Sequence, residues 1–170
     1  MADLVSSEGP AWRAAAREEL LQLIDELLYT EKTHLAAAER FSRVHIGLGL
    51  TATILATAAT ATSIARWSVV ATALIALSAA LVSAVLTFIK PERTAEQHLG
   101  AGRQLAALRV RSRQILTLDL GRISEAEVRR SIRELAREKA AVDAASPGTT
   151  EKDFNVARQK IARGDFERDD

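Results

Sequence analysis

Few side chains in this sequence are suited to acid–base, nucleophilic or metal chemistry. The chain has three histidines and no cysteine, which removes thiol catalysis and thiolate-bound metals together. His34, His45 and His98 are not spaced as metal ligands, and no Ser–His–Asp or paired-carboxylate pattern accompanies them. We therefore expect no catalytic residue, no metal and no cofactor, and an enzyme is the least favoured class of protein.

Hydroxyl side chains recur along a tract that carries almost no charge. Residues 40–91 contain none of the 22 acidic residues. Within each apolar segment the hydroxyls, together with Ala76 and Ala79 in the second, fall at steps of three or four, as on one face of a helix. Small side chains allow helices in lipid to approach closely, whereas a hydroxyl face in an oligomer lines a watery path with weak ion selectivity. The sequence leaves helix packing and pore lining both open. These candidate residues are Thr53, Thr57, Thr60, Ser68, Thr72, Ser83 and Thr87.

Arginines form a second candidate group, in a segment without acidic residues, 98–118. The group consists of Arg103, Arg109, Arg111 and Arg113. Three interpretations remain for it: a solvated helix face, contact with anionic lipid headgroups, and binding of a nucleotide or phosphate, for which the guanidinium group is well shaped. Aromatic residues make up only 4% of the chain, so stacking on nucleic acid is not expected.

The apolar tract that carries the hydroxyls is long enough to cross a membrane twice. Residues 44–65 and 68–89 each exceed the roughly 20 apolar residues that span a bilayer core, and 66–67 form a tight turn between them. The soluble alternative is one helix through 44–89, which would be apolar on every face and would need a large protein around it. We therefore predict a transmembrane helical hairpin.

Basic residues around the two spans orient the hairpin. They precede the first span and follow the second, whereas the turn holds only Arg66. Because cytoplasmic flanks carry the excess of Lys and Arg, both termini are predicted to lie in the cytoplasm. The flanking basic residues are Lys32, Arg40, Arg43, Lys90, Arg93 and Arg103.

The segments outside the spans are predicted to be helical, so the fold class is all-α. Leu21, Leu28 and Leu35 repeat at seven, which predicts a packing seam on an amphipathic helix. Together with the later helices it is expected to form a bundle, in an oligomer. The predicted divisions are a disordered N-terminus 1–10, an amphipathic cytoplasmic helix 11–43, the spans and turn given above, cytoplasmic helices 90–145, a linker 146–150, and a short C-terminal helix and tail 151–170.

The second half of the chain carries a clear helix start. Ser124 is followed three residues later by Glu127, the pattern of a capping box. The helix that it opens has an apolar face, and a shorter one after the linker has another. These faces consist of Val128, Ile132, Leu135 and Val142, and of Phe154, Ala157 and Ile161.

Two segments that flank the spans resemble the signatures of the SLATT domain family. They are "YTEKTHLAAAERF" before the first span and "PERTAEQHLGAGRQLAALR" after the second, and the resemblance covers residues 12–120. It implies a two-span effector of a bacterial defence system, which forms pores in the inner membrane or disrupts it after a nucleotide second messenger or partner sensor signals infection. The matching positions are Tyr29, Lys32, His34, Ala37, Glu96, His98, Ala101 and Leu108.

Two functions from different classes are therefore weighed. The first is an oligomeric effector that permeabilises the bacterial inner membrane when triggered, with lipids and further copies of the chain as partners. The alternative is a non-conducting membrane anchor or adaptor that oligomerises and recruits a cytoplasmic partner. In either case we expect His34 and His98 to be hydrogen-bonded packing residues rather than sensors of pH or ligand.

Overall fold

The computed structural model describes residues 8–164, with side chains from residue 11 onward, and every regular element in that range is helical. The all-α class is therefore confirmed for the described residues. The predicted tail beyond residue 164, and the predicted disordered N-terminus as far as residue 7, lie outside the described residues. The elements are α1 (Glu8–Ile64), α2 (Val69–Ile89), α3 (Pro91–Gln114), a π-helical turn (Ile115–Asp119), α4 (Glu125–Ala145) and α5 (Glu151–Ala162).

Helix α1 begins earlier than predicted. It starts at Glu8 rather than after Pro10. Proline is tolerated in the first turn of a helix because the N–H groups of that turn have no intrahelical acceptor. The expected disordered segment 1–10 is thus wrong for its last three positions, which are helical.

The chain divides into two compact units. The bundle unit comprises the chain up to Ala36 and from His98 onward, and the apolar unit comprises Ala37–Gln97. Helices α1 and α3 each contribute to both units, whereas α2 lies within the apolar unit and α4 and α5 lie within the bundle unit.

Leucines from three helices form the core of the bundle unit. Helix α1 contributes Leu20, Leu23 and Leu27, and their buried partners come from α3 and α4. The apolar face predicted for α4 is confirmed, since two of its members are buried and two pack against the core. The partner residues are Leu105, Leu108 and Leu135, with Ile115, Leu116, Ile132 and Val142 around them.

The packing seam of α1 lies one position away from the predicted one. Leu21 is 41% exposed and Leu28 is half-buried, whereas Leu20 and Leu27 are fully buried. The next position in this heptad is His34, which is also buried. The three-leucine repeat therefore lies at the edge of the buried face rather than at its centre, because His34 occupies the third place of the true seam.

The chain leaves α1 through a turn that contains neither glycine nor proline. Arg66 has a φ of 53°. Its N–H donates to the carbonyl of Ser63, and the N–H of Trp67 donates to the carbonyl of Thr62. This pair of bonds defines a Schellman motif, and it offsets the roughly 1–2 kcal/mol that a left-handed conformation costs an L-residue. The non-helical segment 65–68 separates the two apolar helices, so the tract is not one continuous helix.

Capping boxes open both C-terminal helices. The Ser124 N–H donates to Glu127 Oε2 at 2.9 Å, and the Glu127 N–H donates back to the hydroxyl of Ser124. This confirms the predicted helix start. Thr150 and Asp153 form the same arrangement at the start of α5, although this box was not predicted.

The corrected seam predicts different costs for two neighbouring truncations. Leu20→Ala leaves a cavity in the core and should lower the free energy of unfolding of the bundle unit by about 2–5 kcal/mol. Leu21→Ala removes a largely solvated side chain and should cost less than about 1 kcal/mol. In a Trp67→Phe background Trp12 is the only tryptophan, so denaturant unfolding followed by its fluorescence reports this unit. Equal costs for the two variants would contradict the corrected seam.

Candidate functional site

A cluster of buried polar side chains continues the leucine seam of α1 and meets α3. We call Glu31, His34, His98 and Arg109 the polar cluster. The Nδ1 atoms of His34 and His98 lie 3.0 Å apart, and both residues are at most 5% exposed. At this distance the N–H of one ring donates to the lone pair of the other. Two of the family-signature histidines, which are 64 residues apart in sequence, therefore form one hydrogen-bonded pair.

Glu31 is a buried carboxylate held between two cations. It is 3% exposed, and its Oε2 accepts a hydrogen bond from Nε of Arg109 at 2.8 Å while its Oε1 accepts one from Nζ of Lys32 at 2.7 Å. A buried charge is stable only when partners replace its water. Arg109, on α3, is therefore needed to hold Glu31 inside the bundle unit.

A glycine allows α3 to approach α1 closely beside the polar cluster. A Cβ atom added to Gly102 would lie 2.9 Å from Cδ2 of Leu35 and 3.5 Å from the carbonyl oxygen of Glu31. The glycine therefore has a packing role, because any larger side chain would displace Leu35. This close approach brings the two helices together between the histidine pair and the ion pair.

Burial disfavours the charged form of His34. Desolvation lowers the pKa of His34 below its ordinary value of 6.5, and the carboxylate of Asp143 on α4 opposes this by raising it. The contact between the rings needs one Nδ1 with a proton and one without. When both Nδ1 atoms carry protons, two donors face each other and the contact becomes repulsive.

The other signature positions have separate roles. The Tyr29 ring packs against Phe154 of α5 with a centroid distance of 6.1 Å, so α5 closes over α1 at this point. Lys32 belongs to the Glu31 ion pair, and Glu96 is exposed. Among the signature residues, His34 and His98 thus belong to the polar cluster, Lys32 contacts its Glu31, and Glu96 lies at the surface.

Two of the four candidate arginines are engaged within the bundle unit. Arg109 binds Glu31, and Arg111 binds both carboxylate oxygens of Glu138 on α4 at 2.7 and 2.8 Å. Arg103 and Arg113 are exposed, and neither has an ion-pair partner among residues 8–164. The structure therefore does not present the four arginines as one surface for an anion.

The hydroxyl groups of the apolar unit are satisfied by their own helices. Thr53, Thr57 and Thr60 each donate to the carbonyl oxygen four residues earlier, at 2.8–3.0 Å, and so do Ser83 and Thr87. All five of these side chains are exposed. A hydroxyl whose proton is already donated has lost much of its need for water, so these positions are compatible with lipid as well as with a solvated path.

The remaining two hydroxyl candidates lie near the turn. The Thr72 hydroxyl donates to the Thr62 hydroxyl at 3.1 Å and joins α2 to α1. Ser68 precedes the first residue of α2 and makes no side-chain capping bond. Thr72 is thus a packing residue within the apolar unit, whereas the other candidates face outward.

Helix α2 presents its bulky side chains outward and contacts α1 through small ones. Ala79 is its buried residue, and Thr72 bonds Thr62 of α1. The bulky stripe is 43–86% exposed. This arrangement is inverted relative to a water-soluble protein, which would bury the large apolar groups. The stripe consists of Val70, Leu74, Leu77, Leu81, Val85 and Phe88.

Sequence reasoning missed Glu31 as a functional candidate. The signal was its position, because Glu31 follows Leu27 by four residues and precedes His34 by three, which places all three on one helix face. An acidic residue in line with buried leucines predicts a buried cation on the facing helix. The identity of that cation, Arg109, is not deducible from spacing.

Fold and surface together define the class of this protein. Two helices are long and apolar enough to cross a membrane, and of their most apolar stretches 0% and 6% is buried. A core helix of a soluble protein would be mostly buried. These features define a helical membrane protein with two candidate spans attached to a helical bundle.

Comparison with known families then specifies the family. The chain belongs to the SMODS and SLOG-associating 2TM effector domain family 4, whose sequence model matches residues 17–165. The SLATT resemblance is therefore confirmed, and it extends beyond the two signatures to α4 and α5. No curated protein and no solved structure gave a match.

The lowered pKa of His34 predicts a loss of stability in acid. The folded bundle unit favours neutral His34, whereas the unfolded chain titrates near 6.5. The stabilisation is thus fully present above pH 6.5 and is lost as the pH falls through 6.5 towards the lower folded pKa. We expect the free energy of unfolding to decrease between pH 7.5 and 5.5, by at most about 1.4 kcal/mol per pH unit for each proton taken up.

Two variants separate this effect from other titrations. His34→Asn should flatten the pH dependence measured by Trp12 fluorescence, because the amide replaces Nδ1 without titrating in this range. His45→Gln, in the apolar unit, should leave the pH dependence unchanged. A wild-type stability that is constant from pH 7.5 to 5.5 would show that the buried pair is not linked to protonation.

Proposed function

We propose that this chain is the effector of a bacterial conflict or anti-phage system and acts by permeabilising the inner membrane. In this proposal α2 and the second half of α1 insert as a transmembrane hairpin, and both termini lie in the cytoplasm. Copies of the chain oligomerise, and a second messenger or partner sensor triggers the opening. No catalytic step is required, so the proposed function is not enzymatic.

The exposed aliphatic surface of α2 is the observation that carries the proposal. Leu74, Leu77 and Leu81 are each 57–60% exposed, and Phe88 is 86% exposed. Contiguous apolar surface of this kind is stable against lipid tails or another apolar surface, but not against water. It supports insertion of the apolar unit into a membrane, which membership of a 2TM effector family also favours.

The exposed hydroxyls support an oligomer with two packings. Because Thr53, Thr57 and Thr60 have satisfied donors, they pack against lipid or another helix at little cost, and their free lone pairs still accept bonds from water. Small residues in this stripe allow close helix approach. This face is therefore stable both against lipid or another helix and against water. Such a face suits a channel whose helices pack together in the closed state and line a water-filled path in the open state.

The bundle unit is the proposed receiver of the trigger. Its α1 and α3 helices are those that continue into the apolar unit, and α1 runs unbroken into the first proposed span. A ligand that alters the packing of α1 is therefore connected to that span through one continuous helix. The polar cluster lies between these two helices. The histidine pair and the ion pair of Glu31 with Arg109 are each either formed or broken. A contact with two such discrete arrangements is what a two-state switching element requires.

Substitution on the hydroxyl face tests permeabilisation. Purified chain is incorporated into dye-loaded liposomes at increasing protein-to-lipid ratios, and the full chain is overexpressed in bacteria while membrane potential is recorded. We expect dye leakage and depolarisation from the wild type. Thr57→Leu should reduce both by about tenfold or more, since a bulky residue prevents close helix approach. Leu77→Ile, on the bulky stripe, is the matched control and should behave as wild type.

The same measurements identify the alternative. An anchor or adaptor leaks no dye at any ratio and leaves the membrane potential intact, and Thr57→Leu is then silent. A chain that remains in the supernatant after membrane fractionation without detergent would rule out both membrane functions.

A further inference from the structure

A cavity in the apolar unit lies where α2 ends and α3 begins. Its volume is about 320 Å³, at the lower end of the roughly 300–1,000 Å³ of small-molecule sites. Leu86, the methyl-bearing side chain of Thr87 and Pro91 supply its less polar side. The polar and charged lining residues are His45, Lys90, Glu92 and Arg93.

The charged lining holds two cations and one carboxylate, so it is positive on balance. Lys90 and Arg93 have no ion-pair partner in the described part of the chain. Glu92 is the one acidic lining residue, and its Oε2 lies 3.8 Å from Nε2 of His45. With neutral His45 the lining carries a formal charge of +1, from two cations and one carboxylate. A ligand with a single negative charge would neutralise it.

The backbone holds one of these cations in place. Lys90 adopts a left-handed conformation, with φ 47° and ψ 54°, and its N–H donates to the carbonyl of Leu86. Pro91 disfavours right-handed helical geometry at the preceding residue, which explains why α2 stops here. The side chain of Lys90 therefore starts from a fixed point at the end of the apolar helix.

His45 adds a polar ring to the lining from α1. Its Nε2 lies 3.8 Å from Oε2 of Glu92, whereas its Nδ1 is enclosed and has no hydrogen-bond partner among the residues that the structure describes. Because Nδ1 is enclosed, a ligand oxygen would meet the ring at Nε2, which donates when it carries the proton.

We propose that this cavity binds the monoanionic phosphodiester headgroup of a membrane lipid. The apolar side of the cavity is continuous with the spans, as an acyl chain requires, and the cationic side lies directly after the last residue of α2. Two cations with a nearby donor match the oxygens of a phosphodiester. The proposal rests on the proposed insertion of the apolar unit, and it adds a lipid requirement to the effector.

This lipid site is different from the group of four arginines in 98–118 that the sequence suggested as possible headgroup contacts. Arg109 and Arg111 are engaged by Glu31 and Glu138, whereas Lys90 and Arg93 remain available beside the spans. Arg103 is exposed and without an ion-pair partner in the described residues, but it does not line the cavity. It therefore provides a matched control for removal of a cation from α3.

Lipid binding is measured on the full chain in phosphatidylcholine nanodiscs with and without phosphatidylglycerol, by native mass spectrometry of the lipids that remain bound. The double variant Lys90→Gly and Arg93→Gln removes both cations, and glycine accepts the left-handed backbone of residue 90 without strain. We expect it to weaken phosphatidylglycerol retention about 30-fold, since each basic residue near an anionic surface contributes about a factor of five. Arg103→Gln should retain the lipid as the wild type does.

Three outcomes would overturn the proposal. Equal retention by the double variant, in a chain that still fractionates with membranes, refutes the site and leaves the proposed function intact. Displacement of the lipid by inorganic phosphate alone assigns the cavity to a free phosphate rather than to a headgroup. Absence of the wild-type chain from the membrane fraction refutes the proposed function, and the lipid site with it.

Discussion

Water solvates the bulky outer stripe of α2 poorly, and this constraint governs the rest of the molecule. The stripe is exposed, and the nearby Thr57 and Ser83 donate to their own helix rather than outward. In lipid, side-chain donors must be satisfied inside the protein. These two hydroxyls meet that condition, so this exterior suits lipid tails or the equivalent face of another copy.

The polar contacts that specify how α1 packs against α3 lie in the bundle unit. A leucine core tolerates small shifts of one helix along another, because apolar contacts are not directional. The contacts of Glu31 with Arg109 and of His34 with His98 are satisfied only when α1 and α3 are in one register, and a shift would strand buried polar groups. The polar cluster therefore fixes the relation between the two helices that continue into the apolar unit, while Gly102 sets how closely they approach.

Both ends of α2 are marked by a basic residue with a left-handed backbone. Arg66 precedes the helix and Lys90 follows it, with φ values of 53° and 47°. Arg66 ends α1 and Lys90 ends α2. In each case the left-handed residue sets the position at which the helix stops. Each also places a long cationic side chain at the boundary of the apolar segment, which is where such chains reach water or headgroups.

Hydropathy, length and helix-start chemistry are local properties, so the helical class, the apolar tract of two segments and the Ser124 capping box were all predictable from the amino-acid order. The other features depend on contacts between distant residues. Leu20 rather than Leu21 is buried because Leu105, Leu108 and Leu135 of α3 and α4 pack around it, and a distant partner leaves no trace in local spacing. For the same reason only the fold separates an engaged arginine from an available one, since burial and pairing depend on which helices meet.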